Sequence, residues 1–140
     1  VHFVEFASEV KSEKDLEVAA DGDLSEVRSY VEGLSTAGNT AIYGTLQHSL
    51  ELAAQSRSGD NVTSVVLFSD GENTDWPSIV EFSSWYEATP EVQGIPVYAI
   101  LFGEASRTEM EQLAELTGGR VFDAADGDLT AAFKEIRGYL

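Results

Sequence analysis

The stretch Val65-Val66-Leu67-Phe68-Ser69-Asp70-Gly71 does most to restrict what this chain can fold into. The apolar run from Val62 to Phe68 is too short and too β-branched for a buried helix, and it stops at turn residues. It therefore predicts a strand covered on both faces, as in a parallel α/β sheet. Asp70 then stands at the strand's carboxyl end. In open α/β sheets ligands bind at that edge, because the loops converge there and the following helices point their amino termini at it. A carboxylate so placed is a candidate ligand for a hard cation or a candidate nucleophile. It is equally the first residue of an ordinary Asp-Gly turn.

The 140 residues fit one domain, spanning 1–140, long enough to bury about two thirds of its unfolded surface. Hydrophobic residues make up 43% of the chain and aromatics 10%, and no apolar run approaches the ~20 residues of a membrane span. Val1 stands where an initiator Met would, so an upstream segment is expected. The absence of cysteine excludes disulfides, thiol catalysis and thiolate metal sites. With 25 acids against 8 bases, a net charge of −17, the chain repels nucleic acid and anionic lipid, both of which need Lys and Arg to displace counterions. Neither a nucleic-acid partner nor direct membrane insertion is expected. The same field concentrates divalent cations and basic partners, and keeps the surface solvated.

Val1 to Phe6 reads as a strand and Leu16 to Ala19 as a short second one, joined through the polar turn Lys11-Ser12-Glu13-Lys14-Asp15 into a hairpin. Asp23-Leu24-Ser25-Glu26 has capping-box spacing, and Leu24, Val27, Val31 and Leu34 follow at helical intervals. A polar loop, Ser35 to Thr40, leads into a second helix with Ile42, Leu46, Leu50 and Ala53 on one face, ending near Gly59. After the Asp70 strand, Asp75 and Pro77 predict the start of a helix with Val80, Phe82, Trp85 and Tyr86 inward, stopped before Pro90. Pro96 to Phe102 is the next buried strand. Ser106-Arg107-Thr108-Glu109 then caps a helix carrying Met110, Leu113 and Leu116, which Gly118-Gly119 terminates. A strand from Arg120 to Ala124 and a last helix with Leu129, Ala132, Phe133 and Ile136 inward close the chain. This alternation gives an α/β fold: a mostly parallel sheet between two helical layers, with the hairpin as an antiparallel edge.

Two loops are expected to meet at the carboxyl edge of that sheet, Gly38-Asn39-Thr40 before a helix and Ser69-Asp70-Gly71-Glu72 after a strand. They offer a hydroxyl and one or two carboxylates, an all-oxygen set that suits Mg²⁺, Mn²⁺ or Ca²⁺ rather than softer metals. A shared ion would hold the side-chain oxygens of Thr40 and Asp70 roughly 4 to 6 Å apart.

At these residues the chain resembles the von Willebrand factor type A family. Gly38-Asn39-Thr40-Ala41-Ile42-Tyr43 with Leu46 is similar to the family's second metal loop, and Val65 to Gly71 with Glu72 to its third. Gly94-Ile95-Pro96 through Gly103 is similar to its next strand, and Leu113 to Phe122, containing Thr117-Gly118-Gly119, to its last helix and strand. The resemblance covers nearly the whole chain and is closest to bacterial members, whose ending Phe133 to Tyr139 resembles. It implies a doubly wound, Rossmann-like fold and a metal ion-dependent adhesion site, in which the ion bridges the domain to an acidic residue of a protein partner. Thr40 would be a direct ligand, and Asp70 a direct or water-mediated one.

One family feature is missing. The first metal loop, Asp-x-Ser-x-Ser after the first and central strand, has no counterpart here; Asp21-Gly22-Asp23-Leu24-Ser25 and Asp15-Leu16-Glu17 lack both the serine pair and a preceding buried strand. In the family's terms the chain is N-terminally truncated and its adhesion site incomplete. Two ligands do not fill a shell of about six, so Mg²⁺ should bind weakly, mostly through retained water. The strands at 1–6 and 62–68 would border the empty central slot. Closure is expected by an upstream segment supplied in trans, by a strand exchanged in a dimer, or less readily by direct pairing of the two.

The other residues with chemical potential have ordinary readings. Thr40 alone would cap the helix after it, Glu72 reads as a solvated loop acid, His2 and His48 show no paired spacing, and Trp76 and Trp85 read as packing residues. Two other functions compete with metal-assisted protein binding. One is a metal-independent structural or interaction domain. The other is a haloacid dehalogenase-like phosphatase with Asp70 as nucleophile, whose chemistry needs a lysine at a strand end. The lysines, Lys11, Lys14 and Lys134, do not follow a buried strand in this reading, so an enzyme is not expected.

Overall fold

The computed structural model describes residues 2–6, 10–15, 25, 29, 41–57, 63–69, 73–74, 76–101, 107–124 and 135. In chain order they form β1 (His2–Phe6), β2 (Val10–Asp15), α1 (Ile42–Gln55), β3 (Val65–Ser69), α2 (Ile79–Glu87), a 3₁₀ turn (Pro90–Val92), β4 (Val97–Leu101), α3 (Arg107–Thr117) and β5 (Arg120–Asp123). β3, β4 and β5 pair in that order, all parallel, with Val65 opposite Val97 and Ile100 opposite Phe122. This is the Rossmann-like α/β arrangement expected of short apolar strands alternating with amphipathic helices.

β4 lies in the middle and all five of its residues are buried, so the period of two divides it between two apolar layers. Val97, Ala99 and Leu101 join Leu67 on the face covered by α1, α2 and α3. Tyr98 and Ile100 face the other way, in a second buried cluster with Phe122 and Ala124. The helices expected near 24–34 and 128–138 lie largely outside the described residues, although Ser25, Ser29 and Glu135 are helical and exposed.

β1 and β2 pair antiparallel as a sheet of their own, with a register shift at Glu5/Phe6. The partner strand is the polar stretch ending at Asp15, which sequence alone suggested as the turn; Leu16 to Ala19 lie outside the described residues. Ser12 to Asp15 are exposed, as suits a charged strand at a sheet edge. α1 packs on both β1 and β3, and His48 on α1 meets Glu13 of β2 at 2.6 Å. β1 and β3 nevertheless belong to different sheets, so direct pairing of these two strands is not the arrangement adopted.

α1 buries Ile42, Leu46 and Leu50, the face its spacing predicts. α2 begins at Ile79, with Glu81 accepting the Ser78 N–H at 3.1 Å as half of a capping box. Its inward face is Phe82 and Tyr86, and the Phe82 ring lies 5.4 Å from Tyr43, 5.7 Å from Trp85 and 6.3 Å from Tyr86. Val80, expected inward, is 70% exposed. Two residues at 100° each set it about 200° around the helix from Phe82, so the two do not share a face.

Candidate functional site at the carboxyl edge of the sheet

A helix beginning at Ile42 has an unsatisfied first-turn N–H, and Ala41 at its N-cap has no side-chain acceptor to offer. The acceptor comes from the loop after β3. Asn73 Oδ1 takes the Ile42 N–H at 2.9 Å from 31 residues away, while Asn73 Nδ2 donates to the Pro77 carbonyl at 3.0 Å. A β-carbon added at Gly44 would lie 3.5 Å from Pro77 Cδ, so the first turn of α1 also abuts this loop. One carboxamide thus ties the amino end of α1 to the segment leaving the carboxyl end of β3. Asn73→Ala should lower stability by about 1 kcal/mol, the usual cost of a lost cap, as read by urea denaturation.

The amino end of α3 is held at the same edge. The hydroxyl of Tyr43, a fully buried residue in the first turn of α1, donates to Glu109 Oε1 at 2.6 Å. Burial, then the Glu109 hydrogen bond, then its negative charge hold the Tyr43 phenol well above its ordinary value. Arg107 reaches Glu111 at 3.0 Å and Asp123, at the end of β5, at 3.3 Å. These two pairs are exposed and contribute little stability each; the first lies within α3, and the second joins α3 to the end of β5.

The predicted ligands Thr40 and Asp70, with Glu72, lie outside the described residues. What the structure brings together is their surroundings: Ala41, which follows Thr40, and Ser69, which precedes Asp70, are both buried, and Asn73 links the two segments. Among the described residues no group of three or more His, Cys, Asp or Glu side chains is placed to hold a metal ion. His48 faces Glu13, on the hairpin, and Lys14 is exposed on β2. Trp85 packs on the core as expected, whereas Trp76 is 74% exposed.

Sequence reasoning missed Asn73 and the Tyr43–Glu109 bond. A signal for Asn73 did exist: a helix opening on alanine needs an acceptor from elsewhere, and Asn73 stands in the polar loop directly after the strand. Tyr43 gave none, since a tyrosine on an apolar helix face reads as core.

No curated protein matches the chain. The sequence profile of the von Willebrand factor type A domain matches residues 1–136 of the 140. A match of that extent, on a parallel sheet with its helices in the order described, establishes that the chain belongs to the von Willebrand factor type A domain family.

Proposed function

We propose that this domain is a protein-interaction module that engages an acidic residue of its partner through a divalent cation, Mg²⁺, Mn²⁺ or Ca²⁺, held by Thr40 and Asp70 at the carboxyl edge of the sheet. The observation that carries the proposal is the Asn73 bridge. It fastens the loop that begins with Asp70 to the helix that Thr40 precedes, which supports bringing a hydroxyl and a carboxylate to one place. Both donors are oxygens, which fits a hard cation and not zinc or copper. Bound there, the ion would supply a positive centre for a partner carboxylate. The chain's own part is to orient the two oxygens and to leave the remaining coordination positions to water or to oxygens from another segment. Family members are generally interaction modules without catalytic activity, and the exposed position of Lys14 on the hairpin adds nothing to a phosphatase reading. The likeness of the chain's ending to bacterial members supports a bacterial type.

The test is calorimetric titration with Mg²⁺ and Mn²⁺. With few protein ligands, the dissociation constant should be about a millimolar. Asp70→Ala should abolish the saturable event, and Thr40→Val should weaken it about tenfold through loss of one oxygen ligand. Surface acids attract cations without a site, so Glu115→Ala is the control and should change nothing. Titration curves that are the same for Asp70→Ala and the parent chain would remove the metal and leave a metal-independent interaction domain.

A further inference from the structure

The loop that carries Asn73 continues into an exposed apolar corner. Among the described residues the large apolar side chains that stand well exposed are Phe68, Trp76 and Val80, and the last two, 74% and 70% exposed, are four residues apart. Scattered single apolar residues are normal on a protein surface, but these two flank Ile79. Ile79 lines an open groove of about 410 Å³, together with, among the described residues, Thr108, Glu109 and Gln112 of α3. The groove therefore runs between the amino ends of α2 and α3, with an aliphatic wall on one side and a polar, acidic wall on the other.

Its charge says what would enter. α2 and α3 carry five glutamates against a single base, Arg107, and that base is already engaged by Glu111 and Asp123. Glu81 is turned back onto the Ser78 N–H. Glu109 lines the groove with one oxygen, Oε1, on Tyr43, while Oε2 takes no hydrogen bond among the described residues. An acceptor next to exposed apolar surface, inside a field of net charge −17, matches a donor cation next to an apolar side chain.

We propose that the groove between α2 and α3 is a docking site for a basic amphipathic segment of a protein partner, with a Lys or Arg head on Glu109 and an apolar side chain over Ile79, Val80 and Trp76. Recognition of this kind sets apolar anchors into a groove and uses charge for register. The proposal deepens the interaction-module reading, on which it rests, but it needs no metal.

The probe is a synthetic peptide with Leu and Lys at helical spacing, compared with a twin of equal charge in which every Leu is Ser, titrated in EDTA into the ¹⁵N-labelled chain. The Leu peptide should bind at least tenfold more tightly than its twin and shift the amides of Ile79, Val80, Thr108 and Gln112. Val80→Ser and Trp76→Ser alter exposed side chains and should each remove the Leu advantage, with the amide spectrum of each variant checking that its fold is intact. Glu109→Gln keeps an acceptor for Tyr43 and removes the charge; it should weaken the Leu peptide about tenfold. Equal affinity of the two peptides, a Leu advantage that survives Val80→Ser and Trp76→Ser, or shifts confined to other surfaces would overturn the docking site. Because EDTA is present throughout, such a failure leaves the Mg²⁺ titration of Asp70 and Thr40 to be judged separately.

Discussion

Gly119→Ala is expected to cost the domain about 3 kcal/mol or more, a large part of the roughly 5 to 15 kcal/mol that stabilises a domain of ordinary size. A β-carbon at this position would lie 1.8 Å from the Val97 carbonyl oxygen, 2.6 Å from its carbon and 3.0 Å from its nitrogen. All three atoms are backbone, so no rotamer change relieves the clash. Nor is the strand free to retreat. Val97 opens β4, which is paired on both sides and buried throughout, and its N–H is held at 3.0 Å by the buried Thr117 hydroxyl. The glycine is fixed from its own side too, since its N–H closes the end of α3 on the Ala114 carbonyl at 2.8 Å. Gly118→Ala is the comparison. Gly118 has φ +80° with nothing within 4 Å of an added β-carbon, so its substitution carries only the left-handed backbone penalty of about 1 to 2 kcal/mol. Urea denaturation should separate the two. A Gly119 variant no less stable than the Gly118 variant would show that the close approach to β4 is absent in solution.

That pair of glycines also shows what could be read from the sequence. Gly118-Gly119 was legible as a helix terminator, because a glycine pair after an apolar helical repeat has that local meaning. The clash with Val97 was not, because it depends on a strand 22 positions away in the chain. The same division runs through the molecule. β4 was legible because a strand buried on both faces is apolar at every position, and α1 because its burial follows its own repeat; β3 was legible from its short β-branched run, although Phe68, expected to be covered, is 40% exposed. β2 was misplaced because a charged hairpin arm is held by the backbone of β1 and has no apolar pattern to reveal it. Val80 was misassigned where a run of apolar residues hid the phase of the helix. At the candidate site the proposed ligands, Thr40 and Asp70, lie outside the described residues, whereas Asn73 and Tyr43, which tie the described segments of that edge together, act through bonds spanning 31 and 66 residues. Polar side chains that act at such range leave no periodic trace.

The second large effect belongs to Tyr43, and it depends on pH. Tyr43→Phe removes a 2.6 Å hydrogen bond to a carboxylate from a fully buried ring, which should cost about 1.5 to 3 kcal/mol at neutral pH. Glu109 remains half-buried and can recruit water, which favours the lower end of that range. The sign of the pH dependence follows from the direction of the shift. The folded phenol is held above its ordinary value by burial and by Glu109, whereas in the unfolded chain it ionises near pH 10. Above that pH the folded state binds more protons than the unfolded state, so the contribution of Tyr43 is complete below about pH 10 and declines as pH rises further, by about 1.4 kcal/mol per unit. The phenylalanine variant lacks this group and loses less stability on going alkaline. Urea denaturation of both chains at pH 7, 9 and 11 should therefore show a constant gap between pH 7 and 9 that narrows by pH 11. The other tyrosines are common to both chains and cancel in the difference. A gap that stays constant to pH 11 would mean that the Tyr43 hydroxyl ionises as easily in the folded domain as in the unfolded chain, and that the link between the amino ends of α1 and α3 is not the buried bond to Glu109.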